Sequence, residues 1–300
     1  MNWTSAAILS AATAGVVNII DSHLLSRRMP GLRSFLLPVG AIHLIFAIVL
    51  LFLFPLPENT EPQIILIALL SGTARVVAVL IMLYNLTREE VSRVIPVVQT
   101  YPVFVAIIAV PLLGESLYPL QWLAIVIVVA GAVMVSIQYS SSGATTWSGK
   151  PFLLLLASSL LFALADISSK YVLDYISFWN MFYLTAFCIS GVFLLVSVRP
   201  HILKQLGNIE NRSTTLAIIF FNEVLAPLGI VLSIWALANG PVSLVSPIVG
   251  SRPMFVVLFA LVLSRLAPGF LEWQSSRRII ILRLIGTAMI VGGISLISLT

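Results

Sequence analysis

Read as a pattern of apolar and polar positions, the chain is ten long apolar runs separated by short polar breaks. The runs fall near residues 4–25, 34–54, 64–85, 92–112, 118–138, 151–173, 177–198, 214–238, 243–264 and 279–298. Each is close to the roughly 20 residues a helix needs to cross the hydrocarbon core of a bilayer. In hydrocarbon the backbone must satisfy its own hydrogen bonds, so runs of this length predict helices. The longest breaks, 199–213 and 265–278, are too short for a separate soluble domain. Nothing basic precedes the first run, whereas Arg27, Arg28 and Arg33 follow it, which reads as a retained helix and not a cleaved leader.

The pattern repeats. Residues 91–105 read VSRVIPVVQTYPVFV and residues 242–256 read VSLVSPIVGSRPMFV, with eight of fifteen positions identical at an offset of 151. Shared valines mean little in so apolar a chain. Two prolines six apart in each segment, Pro96 and Pro102 against Pro247 and Pro253, followed by Phe104 and Phe255, mean much more. Two repeats of five spans result: 1–140, then a Ser/Gly/Thr-rich linker at 141–149, then 150–300. Five is odd, so the second repeat enters the bilayer from the opposite side, as in the inverted repeats of many secondary transporters. The expected fold class is therefore an all-α integral membrane protein of ten transmembrane helices in two inverted five-helix repeats. Each of the four prolines removes a helix hydrogen bond and is expected to kink its span.

Composition sharpens this picture. The chain has 300 residues, of which 60% are hydrophobic and 9% charged, far below the quarter or so charged in soluble domains. The basic excess, 16 Lys+Arg against 11 Asp+Glu, is spread between the apolar runs and forms no nucleic-acid patch. Thirteen of the 16 flank odd-numbered connections: Arg27, Arg28, Arg33, Arg88, Arg93, Lys150, Arg199, Lys204, Arg212, Arg265, Arg277, Arg278 and Arg283. The connection after the second run is acidic, with Glu58 and Glu61. Positive charge marks the cytoplasmic side, so both termini are expected outside, in the plasma (inner) membrane. Trp3, Trp122, Trp147, Trp179 and Trp273 fall near span ends, as interfacial anchors do. The single cysteine, Cys188, excludes an internal disulfide and reads as a packing residue.

The stretch Val94-Ile-Pro-Val, Tyr101-Pro-Val-Phe, Leu113-Gly-Glu-Ser-Leu-Tyr-Pro-Leu-Gln-Trp122 resembles the EamA-type repeat of the drug/metabolite transporter superfamily. Ala130-Gly-Ala-Val-Met134 is similar to the glycine-bearing last helix of that repeat, and Gly286 with Gly292-Gly293 repeats it. The resemblance implies a ten-helix fold around a central cavity and movement of small metabolites. The pair Gly114-Glu115 has no counterpart after the ninth run, where Ser264-Arg265-Leu266 stands. Glu115 therefore reads as a loop or capping residue and not as a ligand. Similar family members usually carry the opposite orientation to the one the charges give here.

Ionisable groups inside spans are costly and are functional candidates by default. Arg75, Asp166, Glu223 and Arg252 fall mid-span, with Asp21, Arg93 and Lys170 nearer the ends and His43 the lone imidazole within a run. Arg252, beside Pro253, suits a carboxylate or phosphate, which a guanidinium can hold bidentately. Its repeat partner Tyr101 could stack on or hydrogen-bond a solute. Arg75 and Glu223 occupy near-equivalent places and could lock the repeats together or bind ligand; an unpaired Glu223 would instead carry a proton. Asp166 could do the same, or pair with Lys170 four residues on. Asn18 matches Asp166 in the first repeat, and Trp235 matches Tyr84 and could pack or line a cavity.

A secondary transporter follows, its solute a small metabolite such as an amino acid, with protons as a possible coupling ion. Translocation of phosphorylated or nucleotide-linked sugars, a lipid-carrier flippase and a non-transporting membrane subunit stay open. No HExxH pair, Cys–His couple, GxSxG or glycine-rich phosphate loop is present, so neither an enzyme nor a cofactor or metal is expected. Oligomeric state is not readable.

Overall fold

The computed structural model describes residues 2–86, 91–136, 149–207, 209, 211–266 and 277–299. Residues 141–148 of the expected linker, Arg88 and Trp273 lie outside the described residues, and the linker's last residue, Gly149, opens the seventh helix. Thirteen helices follow in order: α1 (Trp3–Arg27), α2 (Leu32–Leu53), α3 (Pro62–Leu86), α4 (Val91–Val98), α5 (Tyr101–Leu113), α6 (Pro119–Ser136), α7 (Gly149–Val172), α8 (Phe178–Ser197), α9 (Pro200–Gly207), α10 (Arg212–Asn239), α11 (Val242–Val249), α12 (Arg252–Leu266) and α13 (Arg277–Leu299). No strand occurs among the described residues.

Nine stretches of helix among those residues are long and apolar enough to span a membrane, and Tyr101–Leu113 is a shorter apolar helix. The apolar runs map onto these helices with two differences. The fourth and ninth runs are each divided in two, as α4–α5 and α11–α12. In addition, the short helix α9 forms within the connection 199–213, where Gln205 Oε1 accepts from Ser34 Oγ at the start of α2 (3.0 Å).

The two divisions share one construction at an offset of 151. Gln99 N donates to Ile95 O (2.9 Å) as Gly250 N donates to Ser246 O (2.8 Å). Thr100 N donates to Val97 O (3.2 Å) as Ser251 N does to Ile248 O (3.1 Å), and the Thr100 and Ser251 hydroxyls bond the same two carbonyls at 2.7 and 2.6 Å. Pro102 and Pro253 stand second in the helices that resume. Having no N–H, each leaves the carbonyl four residues earlier without its helical donor. A side chain fills each gap: Ser159 Oγ donates to Val98 O (3.4 Å), and Arg252 Nε donates to Val249 O (3.2 Å).

The helices interleave. α1 packs on α10 and α12, α7 on α3 and α5, α2 on α8, and α6 on α13. Since lipid tails are as apolar as leucine, close fit holds such helices together, and small side chains allow it. Ala6, Ala7 and Ala11 of α1 are fully buried. The α6–α13 crossing is closer still. A Cβ on Gly131 would lie 2.7 Å from Gly286 O, and one on Gly293 would lie 2.5 Å from a Val128 methyl. Large apolar side chains such as Phe52, Leu112, Phe220 and Phe221 point outward, where lipid solvates them. At one end of the bundle Trp179 stacks on Phe54 with ring centroids 4.9 Å apart.

Candidate functional site

The divided helices set the site. α11 and α5 pack together, and α7 and α3 bring their polar side chains alongside. Arg75 Nη2 donates to Asp166 Oδ1 at 2.6 Å. The other carboxylate oxygen, Oδ2, accepts from Ser246 Oγ at 2.7 Å. Tyr101 OH donates to Ser246 O at 3.0 Å, its ring 5.9 Å from that of Phe162. Arg252 opens α12 two residues after Gly250, where a Cβ would lie 3.3 Å from Pro102 Cγ, so the start of α12 stands beside the start of α5. Four helices therefore contribute to one polar network at the level where α11 ends.

Burial within it is graded. The Asp166 side chain is 7% exposed, while that of Arg75 is 22% exposed, so the guanidinium is the open end of the pair. Among the described residues, Arg252 makes one hydrogen bond, to Val249 O, and pairs with no carboxylate. Arg75, Arg252 and Asp166 together carry a formal net charge of +1.

Several pairings weighed from sequence do not form. Arg75 pairs with Asp166 and not with Glu223, because α3 lies against α7 while Glu223 sits on α10, which packs on α1, α2 and α8. Asp166 is taken by Arg75 and Ser246, so it does not pair with Lys170 on its own helix. Glu223 instead lies 3.3 Å from His43 Nδ1, and its neighbour Asn222 donates to Asp21 Oδ1 at 2.7 Å. Asn18 occupies an exposed face of α1, outside both clusters. Trp235 is half-buried, packed against the apolar core.

Ser246 and Asn222 were missed in the sequence. Ser246 stands 151 residues after Ile95, and a hydroxyl among valines next to a proline was the available signal. Glu115 acts across the molecule. Its carboxylate accepts from Val242 N (2.6 Å) and Ser243 N (3.1 Å), capping α11, whose own N-cap residue, Pro241, gives no side-chain bond. An apolar cleft of about 550 Å³ opens between α1, α12 and α13, lined by Ile8, Met254, Phe255, Val291 and Ile294.

A bundle of apolar helices closing around buried charged groups defines an integral, multi-pass membrane protein. Its N-terminal part, residues 1–137, matches the EamA-like transporter family. A solved structure described only as the crystal structure of a protein is similar across 98% of both chains, with a TM-score of 0.69 at 17% identity, a likeness of fold alone. No match was found among curated proteins.

Proposed function

We propose that the chain is a secondary transporter that moves a small carboxylate-bearing metabolite, an amino acid or related zwitterion or anion, by alternating access. The observation that carries this reading is the Arg75–Asp166–Ser246 network, with Tyr101 bonded to Ser246 O and Arg252 at the start of the adjoining helix. A zwitterion can exchange with the internal ion pair: its carboxylate takes the guanidinium hydrogens of Arg75 and Arg252, and its ammonium takes Asp166. Such exchange replaces one buried pair by two, leaving no charge unpaired, which is the condition that makes buried charge tolerable.

Ten spans in two inverted repeats, 1–140 and 150–300, complete the proposal. The matched turns at 99–100 and 250–251 support it, as does the exchange of packing partners between the two halves. Rocking of the halves would open the network to each side in turn. The charge distribution supports placing the chain in the plasma membrane with both termini outside. Protons are the proposed coupling ion.

A second reading, transport of phosphorylated or nucleotide-linked sugars, is favoured by Arg252 pairing with no carboxylate among the described residues while Glu223 stands beside His43. The apolar cleft beside α13 is the feature a lipid-carrier flippase would use.

The test is thermal unfolding of the detergent-purified protein with amino acids, sugar phosphates, nucleotide sugars and organic cations, repeated on Arg252→Ala. A ligand at about 100 times its Kd adds about 2.7 kcal/mol of stability. Stabilisation by amino acids that weakens in the variant is expected. Stabilisation by sugar phosphates alone selects the second reading. Organic cations acting alone, equally on both proteins, discard a carboxylate site. No ligand effect together with no flux in liposomes leaves a non-transporting subunit.

A further inference from the structure

The ionisable groups that the solute network leaves out meet in a second place. Asp21 of α1, His43 of α2, and Asn222 and Glu223 of α10 form one cluster. Asn222 Nδ2 donates to Asp21 Oδ1 (2.7 Å) and to Glu223 Oε1 (3.3 Å), so one amide joins two carboxylates. His43 Nδ1 stands 3.0 Å from Val39 O and 3.3 Å from Glu223 Oε2. Asn222 is 0% exposed, Glu223 2% and His43 3%, and three of their polar atoms have no hydrogen-bond partner: Glu223 Oε2, Asn222 Oδ1 and His43 Nε2.

His43 Nδ1 faces both Val39 O and Glu223 Oε2, while Nε2 has no hydrogen-bond partner among the described residues. Two carboxylates, Asp21 and Glu223, are thus bridged by one buried amide, with a single imidazole beside them. α8 and α11, which pack on α10, contain no Asp, Glu, Lys, Arg or His, and Asp166 of α7 is already held by Arg75; His23 and Arg27 of α1, Arg33 of α2 and Lys170 of α7 are the further charged or titratable groups nearby along these helices. Two carboxylates sharing one buried amide repel each other when both are ionised, and the smallest ligand that relieves this is a proton. No group of acidic, His and Cys side chains with metal-binding geometry occurs among the described residues.

Nor does packing require these charges. Ser71 stands 151 residues before Asn222 and Ser169 stands 148 after Asp21, and those two equivalents are also hydrogen-bonded to each other, at 2.9 Å. Gly72, 151 before Glu223, lies against Cys188. The same helix contact is thus built once from neutral small residues and once from two acids and a histidine.

We infer that Asp21, His43, Asn222 and Glu223 form a proton-binding site, separate from the solute network, that loads at Glu223 Oε2 and empties once per transport cycle. The coupling part of this inference rests on the transporter reading; proton binding does not. In infrared spectra of the purified protein in lipid nanodiscs, a protonated-carboxyl band lost on raising the pH is expected, and Glu223→Gln should abolish it. Asp21→Asn, which removes one negative charge and keeps an amide-sized side chain, should shift the pH at which the band is lost. A band unchanged in both variants overturns the site, and so does its loss on adding sodium or potassium chloride at constant pH, which would make the ligand a metal cation. In liposomes, an imposed pH gradient should drive solute accumulation by the wild type severalfold above Glu223→Gln, with solute-induced stabilisation equal in the two. Wild-type accumulation indifferent to the gradient overturns coupling. Absence of any solute effect sinks the transporter reading while the infrared result stands on its own.

Discussion

Gly131 of α6 and Gly286 of α13 face each other so closely that a Cβ on either would meet the other's carbonyl oxygen, at 2.7 and 2.8 Å. Both atoms met are backbone, so neither can swing aside. Gly292, on the same α13, has open space where its Cβ would be. Gly131→Ala should therefore destabilise the protein by about 1–3 kcal/mol through overpacking. Gly292→Ala should be neutral or gain up to about 1 kcal/mol of helix propensity. Thermal unfolding of both variants in the same detergent separates a packing constraint from a general cost of altering this helix.

The Arg75–Asp166 pair makes a stability prediction independent of transport. Arg75→Ala leaves the buried Asp166 carboxylate without its cation and should cost about 3–5 kcal/mol. The double variant Arg75→Met with Asp166→Leu removes both charges at similar volume and should be more stable than either single change. A double variant as unstable as the sum of its singles would show that the two residues act independently.

How much of this was legible in the sequence depends on whether a residue constrains its own segment or its partner. Pro102 and Pro253 act locally, by lacking an N–H, and the divided spans fall where they stand. Gly131 and Gly286 were visible as recurring glycines in the last run of each half. The Arg75 pairing was not visible, because symmetry suggested Glu223 and only the interleaving of α3 with α7 decides for Asp166. Ser246 was equally hidden: its hydroxyl matters only because Asp166 arrives from a helix 80 residues away.

Glu115 illustrates a capping residue whose helix lies far along the chain. It accepts from the first two N–H groups of α11, at the positive end of that helix. Glu115→Ala should cost about 0.5–2 kcal/mol, the range for losing an N-cap side chain. Glu115→Gln keeps an acceptor without the charge and should cost less. Neither should change which solutes stabilise the protein, since Glu115 does not touch the Arg75 network; a changed ligand profile would place it in solute recognition after all.

Orientation can be read with thiol labelling because the chain has a single cysteine. Cys188→Ser removes the background, and Cys188 packs between Gly72 and Thr73, where serine is smaller and still a hydrogen-bond partner. Glu58, in the acidic connection between α2 and α3, and Lys204, on α9, are both exposed. With thirteen of 16 basic residues beside odd-numbered connections, charge retention in the cytoplasm predicts Lys204 inside and Glu58 outside. In intact cells, a membrane-impermeant maleimide should label Glu58→Cys and leave Lys204→Cys unlabelled until the membrane is opened. The reverse pattern would invert the chain. It would also show that its arginines obey a constraint other than retention, such as the helix-capping bond that Arg252 makes to Val249 O within its own span.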